Sequence, residues 1–314
     1  MSVGATAIRR WLRDAIDAVC SHDDRLARVW YRYGLERDER RHAGRPVIVY
    51  QMGKVGSTTV RQSLAASHIG RKVYHTHTLH PGLNESIEQQ RKEYPPEHRT
   101  AALQRVWRNQ YLYERVAAGA SSEPWKVITL VREPVARNIG TFFQHVEVLD
   151  EDEAAWHVRA LSYEFELTVP KGDLEPLARM FFERCRHDQA LNFFDREFKG
   201  LWGIDVFAEP FPKEQGFQTY GNGRMDVLLL RLEDLNRCGA QALGDFLKRP
   251  PVPIVSKNVG GDKPYAELYS LFKKRIELPG WYLDKMYGSR LATHFYTPAE
   301  LERFRERWSY RKAS

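Results

Sequence analysis

Residues 47–60 join an apolar run, Val47-Ile48-Val49-Tyr50, to a turn holding Lys54, Gly56, Ser57, Thr58 and Thr59, and then to a helical pattern with Val60 and Leu64 on one face. A strand that turns into a helix in this way holds phosphate, because the free N–H groups of the helix start and its dipole both favour an anion. Lys54 adds a point charge, the hydroxyls add donors, and glycine at 56 lets the backbone come close. A second cation, Arg132, follows the apolar run Trp125–Val131 and opens Arg132-Glu133-Pro134-Val135-Ala136-Arg137. A guanidinium there suits charge-assisted bonds to phosphate oxygens. The third group is His75 and His77. Alternate residues of a strand share a face, so both imidazoles can serve one cleft, and a neutral histidine can take the proton of a hydroxyl.

The order inside the turn restricts the chemistry. In nucleoside-triphosphate loops the lysine directly precedes Ser or Thr, whereas Lys54 stands two residues before Gly56, giving K-x-G-S-T-T. That order points away from ATP and GTP hydrolysis. The stretch resembles the 5′-phosphosulfate loop of sulfotransferases that use 3′-phosphoadenosine-5′-phosphosulfate (PAPS). Leu130–Phe143 resembles the same family's 3′-phosphate motif, R-x-P followed by S-x-[FY]. The resemblance covers residues 46–145. It implies an α/β, three-layer P-loop-type fold with a central, mostly parallel sheet flanked by helices. It also implies PAPS as donor, held by Lys54, Val55, Gly56, Ser57, Thr58 and Thr59, with Arg132 on the 3′-phosphate, and a carbohydrate or glycoconjugate hydroxyl as acceptor.

No metal is required in that scheme, since Lys54 and the helix start supply the positive field. Gly140 stands where the family has serine, so its N–H or the Thr141 hydroxyl is the expected substitute. The His75/His77 pair resembles the His-x-His strand end of uronyl and heparan sulfate 2-O-sulfotransferases, which implies His77 as base and His75 as an orienting or substrate contact. Glu133 is the other candidate base; its ordinary fate is a solvated or salt-bridged carboxylate. In the family a late basic loop folds over the nucleotide, and Lys257, with Gly260, Gly261 and Lys263, fits that description.

Competing readings remain at this level. A P-loop kinase or NTPase needs a carboxylate at a strand end, for which Glu233 and Asp234 are the candidates. A non-catalytic sulfotransferase-like protein, binding nucleotide or polysaccharide in cell-surface assembly, is consistent with Gly140. Arg132 and Arg137 also read as surface salt bridges. His75, His77 and His80 lack a carboxylate or cysteine companion nearby, so no metal site is expected.

The elements that must position these residues follow from periodicity. The pattern predicts strands at 72–78, 125–131 and 227–232. Helices are expected over 97–118, from Leu103, Trp107 and Tyr111, and from Glu233-Asp234-Leu235 to Lys248. Thr297-Pro298-Ala299-Glu300 is a capping box before a helix that turns Leu301, Phe304 and Trp308 inward. Residues 145–225 read loosely, with one amphipathic helix through Leu174, Leu177, Phe181 and Cys185, and are the expected place for acceptor recognition. Trp156, Trp202 and Trp281 are either sugar platforms or core residues.

The expected organisation is a helical extension, 1–45, before one domain, 46–314. The extension carries Ile8, Trp11, Leu12, Ala15, Ile16 and Val19 at helical spacing, which suits packing on the domain or a peripheral membrane contact. The 314 residues carry a net charge of +7, but the basic residues are dispersed, so an anionic small molecule is favoured over nucleic acid as partner. Cys20, Cys185 and Cys238 have no metal or redox spacing, and no apolar run reaches membrane-span length. A cytoplasmic enzyme is the expectation.

Overall fold

The computed structural model describes residues 24–80, 96–119, 123–151, 154–160, 165–255 and 265–309. The apolar pattern of residues 8–19 and the loop carrying Lys257 lie outside these residues. The chain divides into two compact units, one of Met1–Pro46, Gly70–Lys72 and Thr78–Glu123, the other of Val47–Ile69, Val73–His77 and Pro124–Ser314. In chain order the elements begin with α1 (Asp24–Glu39), β1 (Val47–Tyr50), α2 (Ser57–Ala66), β2 (Val73–Thr76), α3 (Pro96–Ala117) and β3 (Trp125–Val131). Next come α4 (Pro134–Phe142), β4 (Val146–Glu151), β5 (Ala155–Ala160), β6 (Phe165–Pro170), α5 (Glu175–Arg184), β7 (Phe217–Gly221) and β8 (Met225–Arg231). The last five are α6 (Leu235–Phe246), α7 (Ala266–Arg275), α8 (Gly280–Tyr287), α9 (Arg290–Phe295) and α10 (Pro298–Trp308).

The first unit packs α1 on α3. Tyr31 meets Trp107 with ring centroids 6.0 Å apart, Arg32 pairs with Glu114 at 2.6 Å, and Arg115 reaches Glu39 at 2.8 Å. Leu103, Trp107 and Tyr111, the residues that announced α3, are all buried.

The second unit is an α/β fold around a five-stranded sheet of order β2-β1-β3-β8-β7, flanked by helices. The first four strands are parallel and β7 is an antiparallel edge. Every residue of β1 is fully buried, as a strand covered on both faces requires. Because the strands run together, the chain ends of β1, β2, β3 and β8 emerge at one edge. The chain leaves β1 toward β2 on one side, while β3 lies on the other, so the direction of connection reverses at this edge between β1 and β3, the topological position where open α/β sheets bind ligands. Tyr50 anchors the end of β1: its hydroxyl donates to Glu197 Oε2 at 2.6 Å and its ring stacks on Phe198 at 4.9 Å.

The region 145–225 is more regular than its composition suggested. β4, β5 and β6 form a separate antiparallel sheet in which Trp156 pairs with Val169 and Val158 with Leu167. Trp156, Val158 and Val169 join Phe142, Phe143, Phe181 and Phe272 in one core cluster. The sequence did not announce these strands, because acidic residues interrupt their alternation and the register shifts between Val148 and Asp150. The α5 helix falls where Leu177 and Phe181 placed it. Trp156 and Trp202 are core residues, whereas Trp281 is 62% exposed.

The capping box at α10 forms as its sequence requires. Thr297 Oγ1 accepts from Glu300 N at 3.2 Å, and Glu300 Oε2 accepts from Thr297 N at 2.8 Å. Thr297→Ala removes one of these bonds and should lower unfolding stability by about 1 kcal/mol, read as a shift of the urea midpoint at unchanged slope.

Candidate functional site

The turn after β1 is built from two left-handed residues. Lys54 has φ 68° and Gly56 has φ 93°. Gly56 caps α2, and a side chain there is excluded twice over. Its conformation disfavours a Cβ, and a Cβ would lie 2.5 Å from Leu232 Cδ1. Val60 N is the first amide to bond within the helix, to Gly56 O at 3.2 Å, and no side chain caps the start. The N–H groups of Ser57, Thr58 and Thr59 therefore have no partner from the helix itself.

Two arginines hold the carbonyl side of this turn. Arg132, just past β3, donates from Nη1 to Lys54 O at 2.9 Å, and Arg137, in the first turn and a half of α4, donates from Nε to Gly53 O at 3.3 Å. Arg132 has no ion pair and no other hydrogen bond among the described residues, so its remaining N–H groups are available to a ligand. Gly140 lies against both partners: a Cβ on it would stand 3.5 Å from Arg132 Nη1 and 3.6 Å from Lys54 Cβ, which is ordinary contact. The position where the family motif has serine thus faces the loop, with room for a side chain. The Thr141 hydroxyl donates instead to Arg137 O at 3.0 Å, within the helix.

The histidines meet as the strand geometry predicted. His75 and His77 have ring centroids 4.7 Å apart and nearly perpendicular planes, with His77 the more exposed. His77 Nδ1 lies 2.7 Å from Gln51 O, three residues before Lys54. A carbonyl only accepts, so Nδ1 carries the proton and the neutral ring keeps Nε2 as an acceptor.

Glu133 has a different role from the solvated carboxylate expected. It is buried and caps α4, accepting from Val135 N at 2.7 Å, Ala136 N at 2.8 Å and the Tyr287 hydroxyl at 2.8 Å. Glu233 accepts from Glu133 N at 2.9 Å and from the Tyr296 hydroxyl at 2.9 Å. Burial raises both carboxyl pKa values. Asp234 is committed to Arg231 at 2.5 Å and Arg237 at 2.8 Å. Both acids that could have organised a metal are engaged in hydrogen bonds or ion pairs, and among the described residues no three His, Cys, Asp or Glu side chains are placed to hold an ion. Arg137 is corrected as well. It is 2% exposed and, among the described residues, pairs with no carboxylate.

Two further residues had no sequence signal. His145, after α4, is held below the usual histidine pKa by burial and then by the Lys54 ammonium. Lys273, on α7, is pushed down by burial and then by Arg307 and Arg132. Only the tertiary fold brings either one within electrostatic reach of the loop cations.

A family model described as "Putative capsular polysaccharide synthesis protein" (NKWYS) matches residues 174–297. That is less than half of the chain, and it makes the segment similar to a polysaccharide-related family. The matched segment holds β7, β8 and α6 but neither the loop after β1 nor Arg132. The comparisons with curated proteins and with solved structures find no match. Among the described residues no helix is long and apolar enough to cross a membrane.

Gly56→Ala should cost about 1–2 kcal/mol from the left-handed conformation alone, and Gly56→Ala with Leu232→Ala should recover only the packing part, measured by chemical denaturation. For His145 the folded state binds its proton less readily than the unfolded chain, so stability is lost as pH falls through the ordinary histidine range. His145→Asn should lose less stability than wild type between about pH 7 and about pH 5 in thermal melts.

Proposed function

We propose that the protein is a PAPS-dependent sulfotransferase acting on a hydroxyl of a carbohydrate or glycoconjugate. The observation that carries this reading is the K-x-G-S-T-T turn, tied through its Lys54 carbonyl to Arg132 while its Gln51 carbonyl orients His77. Three things support it: the uncapped start of α2, the available N–H groups of Arg132, and the polysaccharide-related match over 174–297.

PAPS, the donor substrate, supplies the sulfuryl group. In this reading the N–H groups of Ser57, Thr58 and Thr59, with Lys54 and the adjacent backbone of Val55 and Gly56, hold the 5′-phosphosulfate. Arg132 holds the 3′-phosphate beside Gly140. His77 Nε2 takes the acceptor's hydroxyl proton as that oxygen bonds to sulfur, and His75 packs against its ring. The sulfur–oxygen bond to the 5′-phosphate breaks, and Lys54 with the helix start stabilises the charge left on the phosphate. The three-stranded sheet and the exposed Trp281 are the candidate surfaces for acceptor recognition. The kinase alternative loses support because Glu233 and Asp234 are both engaged.

Calorimetric titration with 3′-phosphoadenosine-5′-phosphate, beside ADP and ATP with and without Mg²⁺, tests the donor. Binding of the 3′-phosphorylated nucleotide without metal, weakened at least tenfold in Arg132→Ala, is expected. A preference for ATP with Mg²⁺ would overturn the reading. With radiolabelled PAPS and a polysaccharide panel, His77→Ala should lower kcat by about 10²–10⁴-fold while nucleotide affinity stays unchanged. Binding with no transfer to any acceptor would favour the non-catalytic alternative.

A further inference from the structure

The second unit buries two arginines next to strand ends, and they are treated in opposite ways. Arg231 is 3% exposed and fully compensated: Asp234 lies at 2.5 Å and Glu300 at 2.6 Å, and Phe295 O accepts a further bond. Arg137 is 2% exposed and meets only neutral acceptors, Gly53 O at 3.3 Å, Asn138 Oδ1 at 3.1 Å and Gln189 Oε1 at 2.9 Å. A buried cation without a counter-charge is unfavourable, so a neutral side chain of similar volume in its place relieves the fold of that desolvation cost. Burial pushes the Arg137 pKa down to about 10, which is the same imbalance seen from its titration. The nearby Arg132 guanidinium makes it worse, and Glu133 is turned into the helix cap and Tyr287.

We propose that Arg137 is a positioning residue whose missing counter-charge is the anion held at the Gly53–Lys54 turn, a doubly charged phosphate or sulfate-ester group. Arg137 grips the carbonyl of Gly53, one residue before Lys54, so it orients the turn and adds its field to the site. Ligand binding then removes an electrostatic cost that the unliganded protein carries. The inference rests on reading the turn as an anion site but not on sulfuryl transfer.

The test compares wild type with Arg137→Met by thermal unfolding, using inorganic pyrophosphate and 3′-phosphoadenosine-5′-phosphate as probes against sodium chloride of equal ionic strength. Unliganded Arg137→Met should melt at the wild-type temperature or above it. Its ligand-induced shift should be at most half that of wild type, and its nucleotide affinity at least tenfold weaker. A purely structural arginine would give the opposite pattern, a lower melting temperature with unchanged affinity, and that result would overturn the proposal. Failure of both Arg137→Met and Arg137→Gln to fold would overturn it too, since neutralisation has to be tolerated. A wild type that neither probe stabilises would remove the anion site itself, whereas equal stabilisation of wild type and Arg137→Met would remove only the role given to Arg137.

Discussion

The turn after β1 is held from behind by guanidinium groups on its carbonyls, and the rest of the site depends on that arrangement. Arg132 takes the oxygen of Lys54 and Arg137 the oxygen of Gly53. With successive carbonyls directed toward β3 and α4, the chain can pass through two left-handed residues and enter α2 with its first amides uncommitted. A loop free to reorganise would leave those amides to water. Pre-oriented N–H groups are worth more, because no reorganisation is needed when an anion arrives.

This grip is itself supported by a pair of hydrogen-bonded acids. Glu133 follows Arg132 and fixes the start of α4 through two backbone amides, while Glu233 takes the Glu133 N–H. Tyr287 donates a second bond to Glu133 Oε1, and Tyr296 donates to the other oxygen of Glu233. Satisfying both of its carboxylate oxygens is what makes Glu133 tolerable in the interior. The pair therefore ties β8 and the C-terminal helices to the same strand ends that carry the candidate site. Its acids are spent on structure, while the Arg132 and Arg137 guanidinium groups hydrogen-bond backbone carbonyls of the turn.

Some of this was legible before any coordinates. The parallel sheet follows from short, wholly apolar runs separated by helical periods, and β3 falls where its sequence put it. The capping box at Thr297 and the shared face of His75 and His77 are local rules that neighbouring residues satisfy among themselves. The antiparallel sheet of 146–170 was not read, because half-buried strands carry acidic residues on their outer face and dilute the apolar signal. Arg137 was read as a surface ion pair, since a charged residue near a strand end is usually solvated.

The sequence by itself determined the strand, turn and helix around Lys54, the order of lysine and glycine within the turn, and the pairing of the two histidines, because these depend on residues close along the chain. Tertiary structure alone decided which charges are compensated. Arg231 and Arg137 look alike in sequence, yet one is met by Asp234 and Glu300 and the other by neutral carbonyls. The difference arises from groups up to 84 residues apart, and a Coulomb interaction depends on distance in space and on burial, neither of which sequence separation reports.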